Sequence, residues 1–337
     1  MSAGGLPRWL VWLLPALAVL ATGTSSSQGS DAERRPPLLS LERQVKEAGD
    51  SVTFNARGTE LALCDGTTVK ILDAGTLARK KRYEATGDRV AFALGDTALV
   101  VSGIFFSKIE LLDRASGEAK ILDHGTRNFQ YHSKLDLLAY PSHGRVHLYD
   151  LGKKKAVRHW DIGDEDGVAR VGGFSPAGSL LAYYDGFKLR RTVLFVVHPP
   201  YDKPPATMDS DVRVSFPPVL SPDGKRAALS VVKGPVEVWD LGKKSKVFLG
   251  GKFDGSVSRL AFSPDGKLLA CLVSKPGSGE VVIWRATDFR EVARVRAHGS
   301  DTKGMAFSPD GKRLVTASRD GWLKVWKISK GDDKPGE

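Results

Sequence analysis

The phrase Ser-Pro-Asp-Gly-Lys stands at residues 221–225, 263–267 and 308–312. Near-constant spacing of such a phrase constrains the fold more than any other feature of the chain, because a period of roughly 20 to 50 residues means one small structural unit stacked on copies of itself. Fainter copies extend the series. An aromatic or aliphatic residue that closes a short alternating run and precedes a turn recurs at Phe54, Phe92, Tyr131, Phe174, Leu220, Phe262 and Phe307, at spacings of 38, 39, 43, 46, 42 and 45 residues. A third run in each unit then ends alike, as VKILD, IELLD, VHLYD, VEVWD, VVIWR and LKVWK, the fourth unit being the exception. In the repeated phrase Pro fixes φ and Gly adopts backbone angles that other residues avoid, which makes a tight hairpin between first and second strands. Ser221, Ser263 and Ser308 are therefore turn residues and not nucleophiles, and no Gly-x-Ser-x-Gly elbow accompanies them.

Four short alternating runs separated by Gly, Asp and Pro turns make an antiparallel meander of four strands. Seven such meanders without a helical pattern fit radial repetition better than a sandwich. At this point the chain resembles the WD-repeat (WD40) β-propellers of a bacterial exported type, through AFSPDGKLLA…VVIW and AFSPDGKRLVTASRDGWLKVW. The resemblance implies an all-β, seven-bladed β-propeller of four-stranded antiparallel blades over residues 38–330, strongest in the last three units. The seventh unit has only three runs, so an extra run at 38–46 is expected to close the ring as the outer strand of the last blade and to remove two free sheet edges.

The same resemblance implies a hydrogen-bonded tetrad in the seventh unit, made by His298, Ser318 or Thr316, Asp320 and Trp326. Its expected role is structural: to satisfy buried polar groups and lock one blade. Trp239 and Trp284 keep the aromatic member without a histidine, and Trp160-Asp161 is out of phase because Tyr149-Asp150 already holds that position.

The amino terminus reads differently from the repeats. Arg8 precedes an apolar run ending at Ala21, then a Ser-rich stretch, which is the layout of an export signal over 1–23 with the cut near Ala21 or Gly23. The run is short for a membrane span, and an uncleaved anchor stays open as the alternative. Residues 24–37 read as a flexible linker and 331–337 as a disordered tail. The expected location is periplasmic or secreted. The two cysteines, Cys64 and Cys271, fall in second strands of blades that are not neighbours, so they should be too far apart to bond. No Cys/His grouping has metal-ligand spacing, DIGDEDG at 161–167 lacks the alternating ligands of a calcium loop, and no cofactor is expected.

Formal net charge is +11. A meander sorts charges between its two ends. Lys225, Lys267, Lys312, Lys153 to Lys155, Lys243 and Lys244 gather at the hairpin end, where an anionic surface is a possible contact, and the acidic linking loops gather at the other. Arg89, Arg127, Arg170, Arg213, Arg259 and Lys303 stand near the starts of first strands, where they bring positive charge to the channel mouth. The lysines are not interleaved with stacking aromatics, so no nucleic acid is expected. The reading is a monomeric, non-catalytic platform for protein partners. Its alternatives are a propeller enzyme of lactonase or hydrolase type, and a periplasmic assembly propeller resembling TolB. The proline-rich loop in the fourth unit is a further candidate contact.

Overall fold

The computed structural model describes residues 38–103, 108–124, 128–162, 167–186, 192–251 and 253–329. The expected signal, linker and tail lie outside the described residues, as do Arg127 and the acidic stretch 163–166. The described residues form 28 strands in seven four-stranded antiparallel sheets, with no helix among them. Six blades are consecutive meanders, beginning with the inner strands Ser51–Phe54, Arg89–Ala93, Gln130–His132, Gly167–Phe174, Val214–Leu220 and Ser256–Phe262. The seventh begins with Thr302–Phe307, and its outer strand is Leu39–Val45, paired with Leu323–Ile328 in a register that sets Leu39 opposite Ile328 and Val45 opposite Leu323.

Second and third strands carry almost continuous apolar runs, such as LALC and VVIW, because a blade is covered on both faces. Alternate residues then serve different neighbours. Leu61 and Leu63 face the seventh blade with Val315 and Val325, whereas Ala62 and Cys64 face the second with Val90, Leu99 and Val101. Seven apolar clusters result, one in each cleft between blades, and the cluster joining Leu61 to Val315 closes the circle. Fourth strands read as polar because they face solvent on the rim: Arg79–Glu84 is exposed at every position but Tyr83.

The repeated phrase has the same geometry each time. Ser221, Ser263 and Ser308 donate to the Asp two residues on, at 2.5, 2.6 and 2.5 Å, and each hydroxyl accepts the backbone N–H five residues on at 2.9 Å. The three serines are buried and both hydrogen-bonding roles are filled, which leaves no free nucleophile. In the first unit Asn55 takes over this role, its side-chain oxygen accepting from Thr59 and Glu60 N–H at 2.8 and 3.0 Å. Gly58, at φ +69°, closes that turn, and a methyl there would lie 3.3 Å from Pro309 of the seventh blade. Arginines just after these turns staple the ring. Arg313 donates to Ala74 O and Gly58 O of the first blade at 3.3 and 3.5 Å and lies over Phe54, and Arg226 donates to Ala286 O of the sixth at 2.8 Å.

The fourth unit departs from this pattern in its proline-rich loop, which is exposed at Pro199, Pro200 and 202–204 and anchored at Tyr201: that residue is buried, donates to Gly178 O at 2.6 Å and meets the edge of Trp160 in the third blade. His198 Nδ1 is 2.8 Å from Ser179 Oγ. Two anchors hold the loop against the cleft between the third and fourth blades.

Candidate functional site

The sequence contains two constellations, and the fold gives them opposite characters. The first is in the seventh blade. His298 ends the outer strand Glu291–His298 of the sixth blade and reaches across to its neighbour. Trp326 Nε1 donates to Thr316 Oγ1 at 3.0 Å, Thr316 Oγ1 lies 2.8 Å from His298 Nε2, and His298 Nδ1 lies 3.1 Å from an Asp320 oxygen. One assignment satisfies every group: the indole donates to the hydroxyl, the hydroxyl to the neutral imidazole, and the imidazole N–H to the carboxylate. Burial pulls the His298 pKa down against the opposing pull of Asp320. Asp320 stays below the usual carboxylate range: burial works against it, but N–H bonds from Gly299 and Trp322 and the imidazole prevail.

The hydroxyl in this chain belongs to Thr316. Ser318, which the resemblance puts forward for this role, stands two residues further along the strand, where it donates to Asp301 O at 2.8 Å and accepts the Asp320 N–H at 3.1 Å. It braces the turn that holds Asp320. With its donors and acceptors used up and its side chains mostly buried, the group is a lock between blades.

The second constellation surrounds the axis. The inner strands line a channel space of about 370 Å³, with Arg89, Arg259, Phe216 and Tyr131 among its walls. A wider cavity of about 560 Å³ opens at the linking-loop end, bounded by Asp50, Asp65, Asp88, Arg89, Phe216, Arg259, Lys303 and Arg319. A third space of about 270 Å³ adjoins Asp88, Arg89, Arg170, Tyr183, Asp185 and Phe216. Arg89 and Phe216 border all three.

Of the six cations expected at the mouth, the fold brings Arg89, Arg259 and Lys303 to one cavity and Arg170 to the adjoining one with Arg89. Arg213 is a correction. It precedes its strand, lines none of these spaces, and stands with Nε 3.6 Å from Asp185 Oδ1. The slip between Val214 and Phe216 matches the one between Val257 and Arg259 in the sixth blade, so Phe216 takes the channel position that Arg259 holds there; Pro217-Pro218, without N–H groups for the ladder, adds a second slip before Val219. Phe216 was not expected as a lining residue. Arg319 was missed as well: it lies in the second-to-third turn of the last blade and holds Asp50 through two 2.8 Å bonds.

Arg89 and Arg259 are half-buried and border the channel space. Burial lowers the pKa of both, to about 9 for Arg259, where Arg89 adds repulsion and Asp88 and Asp50 oppose it. Asp88 is shifted upward by burial despite Arg89 nearby. At neutral pH both guanidiniums remain charged, and the mouth is an electropositive, partly desolvated cup. A group of that kind attracts anions; among the described residues no cluster of three metal-ligating side chains occurs.

Comparison with known proteins bears on the repeat. Residues 242–285 and 289–327 match the family model described as WD domain, G-beta repeat. The chain is 36% identical over 76 residues to Protein hir1 of Schizosaccharomyces pombe, a stretch covering 23% of this chain and 8% of that one. It is 34% identical over 115 residues to the Protein LST8 homolog of Drosophila melanogaster (32% and 36%), and 28% identical over 114 residues to an uncharacterized WD repeat-containing protein, sll1491, of Synechocystis (34% and 32%). These matches span little more than a third of the relatives at most. They support a WD-repeat propeller, and because the relatives are mostly eukaryotic they lend nothing to the expected bacterial exported type.

Proposed function

We propose that this propeller is a non-catalytic platform for protein partners, and that its channel mouth receives an acidic segment of the partner. The observation that carries the reading is the cup formed by Arg89, Arg170, Arg259 and Lys303 on a rigid ring, with Phe216 as an apolar wall. Strands position these cations and linking loops surround them, and loops on a repeated scaffold are where a specific surface is acquired. The matches to WD-repeat proteins support a binding role over a hydrolytic one. In the same proposal the chain is a monomer, exported through its apolar amino-terminal run, and the lysine-rich hairpin end meets an anionic surface.

Affinity capture from the exported fraction tests the reading. Wild-type protein should retain a partner that Arg170→Glu and Arg259→Glu variants lose while keeping the wild-type circular-dichroism spectrum. Unchanged capture by both variants removes the mouth from the interaction. Sequencing the amino terminus of the mature protein tests export.

A further inference from the structure

The positive charge of the channel mouth exceeds what its own carboxylates neutralise. Asp50 is held by Arg319 at 2.8 Å, Asp65 by Lys70 at 3.1 Å, and Asp185 lies 3.6 Å from Arg213. Among the described residues Arg89, Arg170, Arg259 and Lys303 make no hydrogen bond and no ion pair, and only Asp88 remains as an uncommitted carboxylate beside them. The Arg259 guanidinium lies over the Phe216 ring, 5.7 Å away. Each guanidinium presents five N–H donors, and in Arg89, Arg170 and Arg259 none of them is buried without a partner, so they open onto the channel spaces that these residues line.

Their placement is as informative as their number. Arg89, Arg170 and Arg259 come from the second, fourth and sixth blades and so approach the axis from three directions. Arg89 is the common neighbour, close enough to Arg170 and to Arg259 for each pair to repel. A carboxylate has two oxygens in one plane and is served by a single guanidinium fork. A tetrahedral oxyanion turns oxygens toward several sides at once, and more than one negative charge matches four free cations against one carboxylate.

We propose that the channel mouth around Arg89, which shares one space with Arg259 and the adjoining one with Arg170, binds a small tetrahedral oxyanion of the phosphate or sulfate class, as a free ion or as the end group of a small organic ester. The adjoining space of about 560 Å³ is of the size that small ligands occupy, so an organic portion has room above the ion. The site rests on the preceding reading only in needing the mouth cations to be free for a ligand; it requires no protein partner.

Calorimetric titration and thermal melts of the full chain with sodium phosphate, sodium sulfate and phenyl phosphate test it, against sodium chloride at matched ionic strength. Low concentrations are needed, since phosphate and sulfate stabilise most proteins when concentrated. Phosphate and sulfate should each give saturable heat and a saturable rise in Tm that chloride lacks. Arg89→Gln and Arg259→Gln should weaken binding by about tenfold or more. In chloride the same variants should melt at or above the wild-type temperature, because each removes an unpaired charge. Tighter binding of phenyl phosphate assigns the site to an ester, and equal or weaker binding assigns it to the free ion. No saturable response in the wild type, a response that survives in both variants, or variants that melt well below wild type in chloride would overturn the proposal. Since no partner protein enters the titration, its failure leaves the platform reading to be judged by capture alone.

Discussion

Arg313 and Arg259 belong to neighbouring blades and lie on opposite ends of the ring. Arg313 gives its guanidinium to two carbonyls of the next blade and covers Phe54. Arg259 lies over Phe216 with no hydrogen bond. The difference separates two uses of one residue type. At the hairpin end polar groups are consumed in holding blades together; at the channel mouth they are held in position and left open. The His298 network belongs with the first kind and the arginines of the mouth with the second.

The sharpest break of this comparison is Thr316→Val, which preserves shape but leaves the buried His298 and Trp326 nitrogens without their common partner. Chemical denaturation should show a loss of about 2 to 4 kcal/mol, against about 1 kcal/mol for Ser318→Ala, and equal losses would return Ser318 to the network. Next, Gly58→Ala should cost about 1 to 2 kcal/mol, since its φ of +69° is strained for any residue with a Cβ and Pro309 stands close. Arg313→Ala should lose about 1 kcal/mol of stability while Arg259→Ala loses none, measured under the same low-anion conditions. A large loss for Arg259 would erase the distinction between the two ends.

A smaller effect concerns acidity. Burial holds the folded-state pKa of His298 below its ordinary value near 6.5. The unfolded chain then takes up a proton before the folded one does, so this stabilisation is complete above about pH 6.5 and is lost as pH falls through the depressed folded value. Asp320, also depressed, adds a second loss at more acid pH, below its unfolded value near 3.9. Melting temperature should decline on acidification from pH 7 to 5, and His298→Gln should flatten that part of the profile. The smallest perturbation is none at all: Cys64 and Cys271 are unbonded, buried, and face different clefts. Burial pushes the Cys64 thiol up to about 12 and raises Cys271 too. Native protein should resist alkylation, and unreduced, denatured protein should show two thiols.

The sequence showed the fold more openly than the mouth, and the reason is physical. A blade must repeat its turn and its double-sided apolar runs, so Ser-Pro-Asp-Gly and VVIW recur and can be counted. The mouth needs no such repetition. Arg89, Arg170 and Arg259 could be placed from their position at strand starts, but nothing local distinguishes them from Arg213, which lies just outside its strand beside Asp185. Whether a cation is free depends on partners far away in sequence, as Arg319 and Asp50 show at a separation of 269 residues. Thr316 and Ser318 lie on the same side of one strand, and only distance to the indole separates them.

The pairing of Leu39–Val45 with Leu323–Ile328 also sets an order of events during synthesis. Leu39 is made 289 positions before its partner Ile328. At ordinary elongation speeds of about 5 to 20 residues per second, that is a wait of roughly 15 to 60 s. Throughout that interval the first strand is an edge without a mate, available to any complementary edge it meets. A second copy of the chain offers that edge, so crowded nascent chains can exchange first strands and complete each other's rings as a swapped pair.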